Sequence, residues 1–81
     1  MKKTKFITQR KNWFVDSDSL HVDWPLEQME VGDVIPLMGK NMNRLRSNVM
    51  STAYIRYHKS GTRRFVSGSP KPGVIHIQRV E

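Results

Sequence analysis

From residue 43 to residue 59 the chain reads NRLRSNVMSTAYIRYHK, and Leu45, Val49, Ala53 and Tyr57 recur in it every four residues, with Met42, Met50 and Tyr54 beside them. Apolar residues at that spacing share one face of an α-helix. A lone helix cannot bury such a stripe against itself. A chain of 81 residues has room for one domain only, so the opposing surface must come from short elements on either side.

Those elements are legible as strands. In EVGDVIPLMG, Gly32-Asp33 supplies a turn, Val34, Ile35 and Leu37 supply a buried run, and Pro36 confines that run to a sheet edge or a bulge. Asn41 or Asn43 is placed to cap the following helix, and Gly61 to stop it. Beyond Gly61, RRFVS and GVIHIQRV are two β-type segments joined by GSPKPG, which reads as an exposed loop. In the second segment Val74, His76, Gln78 and Val80 alternate with Ile75, Ile77 and Arg79, and Ile75 and Ile77 face the core. The expectation is one α+β domain in strand, helix, hairpin order. A main helix at about 43–59 packs on a small antiparallel sheet that includes 63–67 and 74–80. Leu45, Val49, Ala53, Tyr57, Phe65, Ile75 and Ile77 are the expected buried positions. Arg46 sits within the apolar stripe, so either its stem snorkels out or the helix begins later than residue 43.

Upstream the patterns are weaker. Phe6-Ile7-Thr8 and Trp13-Phe14-Val15 read as a strand or hairpin, and 25–29 as one helical turn started by Pro25. Residues 1–23 divide into a basic segment and a turn-rich acidic connector, ahead of the α+β core at 24–81. The aromatic residues Phe6, Trp13, Phe14, Trp24, Tyr54, Tyr57 and Phe65 are expected to build the core, because a chain without cysteine has no disulfides to lean on.

Charge is distributed in blocks. Residues 1–15 hold five cations and no acid; residues 16–33 hold six acids and no Lys or Arg; residues 34–81 hold nine cations and one acid, Glu81. A net charge of +7 placed so unevenly concentrates a polyanionic partner near the basic blocks. Other classes find little in the sequence. His21, His58 and His76 show no metal-ligand spacing, and Asp16 and Asp18 begin a calcium-loop alternation that does not continue. No nucleophile elbow or phosphate-cradling glycine loop is present, so no enzyme, cofactor or metal is expected. Met1 to Asn12 lacks the apolar run of a secretory signal, and no stretch reaches membrane-spanning length; the expected location is a cytoplasm.

The expected function follows from which polar residues share the basic surface. Phosphate backbones are held by Arg, Lys, Ser, Thr and Asn, and a helix with short polar residues on its open face fits a major groove. Arg44, Arg46, Ser47, Asn48, Ser51 and Lys59 supply that helix; Arg63, Arg64, Lys71 and Arg79 supply a hairpin that lies like a wing along the phosphates. Duplex DNA, with little sequence preference, is placed ahead of single strands because Tyr54 and Tyr57 are assigned to the core, which leaves only Trp13 and Phe14 as candidate stacking platforms.

Three stretches, WPLEQMEVGDVI, RLRSNVMSTAYIRYHKSGTRRFVS and GVIHIQRVE, together resemble a family of small, mostly uncharacterised bacteriophage proteins. The shared pattern is an aromatic-Pro start, a Met-x-Val-Gly-Asp turn, an arginine opening a helix, a Gly-x-basic-basic-Phe strand and a closing Gly-Val strand that ends in arginine. Trp24, Pro25, Met29, Val31, Gly32, Asp33, Arg46, Gly61, Arg63, Arg64, Phe65, Gly73, Val74 and Arg79 match it. The chain departs from it at Val34-Ile35, where the family has an aromatic, and at Val66-Ser67-Gly68, where the family has Thr-Thr-Arg. The resemblance implies phage origin, an α+β module and action inside the host cytoplasm. Beside the DNA-binding role read from the basic surface, with regulation of transcription or other host DNA processes, it raises a rival: an early protein of host takeover that docks on and modulates a host factor such as RNA polymerase, a nuclease or a nucleoid protein.

Overall fold

The computed structural model describes residues 6–19 and 22–81, so Lys2, Lys3, Lys5 and His21 lie outside the described residues. The chain forms an α+β unit. Strand β1 (Val34–Met38) leads into helix α1 (Met42–Ala53), which continues as a single π-helical turn, α2 (Tyr54–His58). The hairpin β2 (Phe65–Lys71) and β3 (Val74–Arg79) closes the fold.

The sheet is antiparallel throughout, in the order β1-β3-β2. β1 is an edge strand, as Pro36 requires, and Pro36 lies opposite His76 on β3. Alternation along the paired strands puts Ile35, Leu37, Phe65, Ile75 and Ile77 on one face, where they meet Leu45, Val49 and Ala53 of the helix; Leu26 and Met29 complete this core. The helical repeat of four and the strand repeat of two thus bury the same layer from both sides. Tyr57 is half-buried against it.

Four expectations need correction. First, the core is mainly aliphatic. Phe65 alone among the aromatic residues named for it is fully buried; Trp13, Trp24 and Tyr57 pack at its margin, while Phe6, Phe14 and Tyr54 are exposed, Phe14 at 71%. In so small a molecule, aliphatic side chains from helix and sheet fill the interlayer space, and large rings reach the rim.

Second, residues 6–15 form neither strand nor hairpin. Their backbone pairs with distant residues rather than with itself: Lys11 and Trp13 exchange hydrogen bonds with Val34, forming one parallel bridge, and the Arg10 N–H donates to Gly32 O at 2.9 Å. Third, Asn41 stands at the helix N-cap position without a side-chain cap bond; its Nδ2 instead reaches Asp18 O at 3.5 Å. Fourth, the hairpin loop is shorter than GSPKPG. β2 runs on through Pro70 across an irregularity between Gly68 and Lys71, and only Pro72 and Gly73 turn the chain, Gly73 at φ 84°. The Ser69 hydroxyl lies 2.8 Å from Lys71 O and 2.7 Å from Val74 O, which ties the irregular stretch together. In the other direction Arg63 and Arg64 precede the strand, although Val80 N still donates to Arg64 O at 2.8 Å.

Candidate nucleic-acid interface

The helix fixes which basic residues can reach a ligand. Because Leu45, Val49 and Ala53 face the sheet, Arg44, Ser47, Asn48 and Ser51 stand on the solvent side, all exposed, and Lys59 is exposed just past the last turn. Arg46 is half-buried, as its place in the apolar stripe predicts. Asn48 shares a groove with Thr52, Arg56, Trp24, Asp23 and Glu27, so one flank of the helix runs along the acidic connector.

The remaining arginines divide. Arg64 is exposed, with its Nε 3.8 Å from Glu81 Oε2, and it lies near enough to His58 to act on that residue's charge. Arg63 is turned inward: its Nη1 donates to the carbonyls of Leu26 at 2.7 Å and Glu27 at 3.1 Å, and its guanidinium lies over the Tyr57 ring. Arg79 is likewise turned in, donating from Nη1 to Met29 O at 2.8 Å and from Nε to Glu81 O at 2.9 Å. Burial, and after it the neighbouring Arg63, lowers the Arg79 pKa. Both side chains tie the turn at 26–29 to the hairpin. Lys71 is exposed at the hairpin tip beside His76, on the sheet face away from the helix. The structure therefore gathers Arg44, Ser47, Asn48, Ser51 and Lys59 along the helix with Arg64 near its end, and separates Arg63, Arg79 and Lys71 from them.

Tyr54 was assigned to the core by period. It is 59% exposed, and its neighbour Ile55 is 72% exposed. Tyr54 directly follows buried Ala53 and stands about 100° further round the helix, past the edge of the stripe, and Ile55 stands further still. From Tyr54 onward the helix widens: Lys59 N donates to Tyr54 O, five residues back, so one extra residue enters the turn and the phase of the residues after it slips. His58 is carried inward by the same slip. Its Nε2 accepts the Phe65 N–H at 2.7 Å, and its ring stacks on Phe65 at 6.3 Å and 9°. Burial, and then Arg64, pushes the His58 pKa down.

Polar bonds also anchor the amino-terminal segment to the sheet. Asp33 is buried and accepts from Arg10 Nη1 at 2.9 Å, Trp13 Nε1 at 2.8 Å and the Glu30 N–H at 2.9 Å; Arg10 Nη2 also meets Glu30 Oε2 at 2.8 Å. Buried Gln78 accepts from Ile7 N and donates to Ile7 O and Gly32 O. With their partners accounted for in this way, Asp33 and Gln78 read as the clasp of the amino-terminal segment. Among the described residues no cluster of His, Asp or Glu has the make-up of a metal site, and no helix is long and apolar enough to cross a membrane.

Nothing among known protein families, curated proteins or solved structures matches this chain.

Proposed function

We propose that this chain is a small phage-encoded protein that binds nucleic acid by its phosphates, with little sequence preference, and acts on DNA in the host cytoplasm without catalysing a reaction. The observation that carries the reading is the composition of the helix's open side. Arg44, Ser47, Asn48 and Ser51 are exposed together, Lys59 and Arg64 follow at its end, and the chain from residue 34 to residue 80 contains no carboxylate. Such a surface offers charge and short hydrogen-bonding groups to a phosphate backbone. Apart from Glu81, which lies beside Arg64, the acids fall in 16–33, where Asp33 is buried and Asp23 and Glu27 border the groove on the Asn48 flank of the helix.

The test is a titration of labelled duplex DNA over a range of salt concentrations. Affinity is expected to fall linearly in log–log terms, with a slope of about 0.9 per phosphate neutralised. Arg44→Ala and Arg64→Ala should each lower that slope by about one. No affinity at low salt refutes the reading. It would favour the second one, a modulator of a host protein, to which the exposed apolar pair Tyr54 and Ile55 lends support; a pull-down from host lysate tests that.

A further inference from the structure

Phosphate binding leaves the last turn of the helix unexplained. π turns are rare and recur at functional sites, and at the start of this one Tyr54 and Ile55 stand exposed although both would add to a small core. Beside them Met50, Ser51 and His58 line an open depression of about 450 Å³.

The lining has a definite chemistry. Tyr54 gives an aromatic face, and Met50 and Ile55 give apolar walls. The Ser51 hydroxyl and His58 give polar edges. Because His58 Nε2 accepts the Phe65 N–H, the neutral ring carries its proton on Nδ1 and has a donor to offer a ligand. Stacking on Phe65 holds that ring in place. No carboxylate lines the depression, and the cation that acts on His58 is Arg64. Tyr54 and His58 are already in contact, at 6.2 Å and 59°, so a planar ligand stacks on the open face of Tyr54 rather than between the two rings.

An aromatic platform, edge donors and a neighbouring cation match a nucleobase joined to its phosphate. We propose that the depression at the π turn takes one unpaired base of a nucleic-acid strand, stacked on Tyr54, with Arg64 meeting the adjoining phosphate. The inference rests on the nucleic-acid reading above and deepens it: the preferred ligand carries an unpaired base, as in a single strand or a bulged duplex, rather than being a continuous duplex. A duplex-first preference assumes that Tyr54 is in the core, and its exposure removes that ground.

The experiment titrates the full chain with a blunt DNA duplex, the same duplex carrying one extrahelical thymine, and a thymidine oligomer. Tyr54→Ala, Tyr54→Leu and Tyr54→Trp are compared with the unaltered protein. Bulged and single-stranded DNA should bind more tightly than the blunt duplex. Tyr54→Ala and Tyr54→Leu should each lose roughly 5- to 150-fold on those two ligands, and Tyr54→Trp should retain binding. Leu keeps the apolar contact and removes the ring, so its loss assigns the effect to stacking. Melting temperatures should match across the set, since Tyr54 is largely exposed. Tyr54→Leu binding at the unaltered level, or an equal loss on all three ligands, overturns the inference and leaves phosphate binding standing. No affinity for any of the three overturns both. A host protein captured only when Tyr54 is intact, with no DNA bound, assigns the depression to a protein partner and overturns the inference as well.

Discussion

Asp33 accepts three hydrogen bonds on one carboxylate, from Arg10 and Trp13 of the amino-terminal segment and from Glu30 of its own turn. Burial alone would raise its pKa; the hydrogen bonds from the Glu30 N–H, the Trp13 indole and Arg10 outweigh that and hold it below the ordinary carboxylate value. Asp33→Ala leaves the indole and the amide without their acceptor and should cost about 2–4 kcal/mol of stability in chemical denaturation. Burial lowers the pKa of His58 and His76, aided by Arg64 and Lys71 respectively. In all three cases the folded state binds its proton more weakly than the unfolded chain, so each contributes stability above its unfolded pKa and loses it as pH falls through the folded value. Denaturation midpoints should therefore decline in two steps on acidification, the histidine step beginning near pH ~6.5 and the Asp33 step below about 3.9. His58→Gln should flatten the first step. Tyr57 carries a buried hydroxyl with no hydrogen-bond partner, so Tyr57→Phe should be neutral or stabilise by up to about 1 kcal/mol.

Among the elements, the amino-terminal segment and the hairpin arginines do structural work that their composition disguises. Ile7 N donates to Gln78 Oε1 across 71 residues of chain. Ile7→Pro removes that donor and should cost about 1–3 kcal/mol by thermal unfolding, whereas a segment that merely trailed from the fold would tolerate it. Phe6 closes over Gly68 so tightly that a Cβ there would lie 2.4 Å from its ring, and Gly68→Ala must displace it. Arg63 is counted by sequence among the phosphate ligands, yet its bonds to Leu26 O and Glu27 O hold the 26–29 turn against the hairpin. Arg63→Ala should lower stability by about 1.5–3 kcal/mol and leave the salt dependence of DNA binding unchanged, the reverse of the Arg64→Ala outcome.

Across the whole molecule the decisive quantity is where charge of each sign lies relative to the helix. Arg56 shares a groove with Asp23 and Glu27, which dampens its attraction for a polyanion. Replacing both acids by their amides, Asp23→Asn with Glu27→Gln, should raise DNA affinity by about two- to fivefold at low salt. The gain should vanish as the screening length contracts toward ~3 Å near 1 M salt. Equal gains at low and high salt would show that the acids act by shape rather than by charge.

How much of this was legible in the sequence depends on how far apart the interacting residues lie. The helix with its buried Leu45, Val49 and Ala53, the edge strand carrying Pro36 and the inward Ile75 and Ile77 all follow from periodicity and backbone chemistry within single elements, and all are present. The exposure of Arg44, Ser47, Asn48 and Ser51 follows from the same helical period. Period could not foresee the π turn, where one extra residue carries His58 inward to Phe65. Nor could composition tell Arg63 and Arg79 from Arg64, since all are basic residues bordering a strand. Their inward hydrogen bonds span 37 and 50 residues, and those of Asp33 with Arg10 and Trp13 span 23 and 20. Local patterning records only whether a side chain turns inward or outward within its own element. Which polar group it meets is decided when chain closure brings distant segments together, because a buried donor or acceptor then takes whichever partner lies within reach.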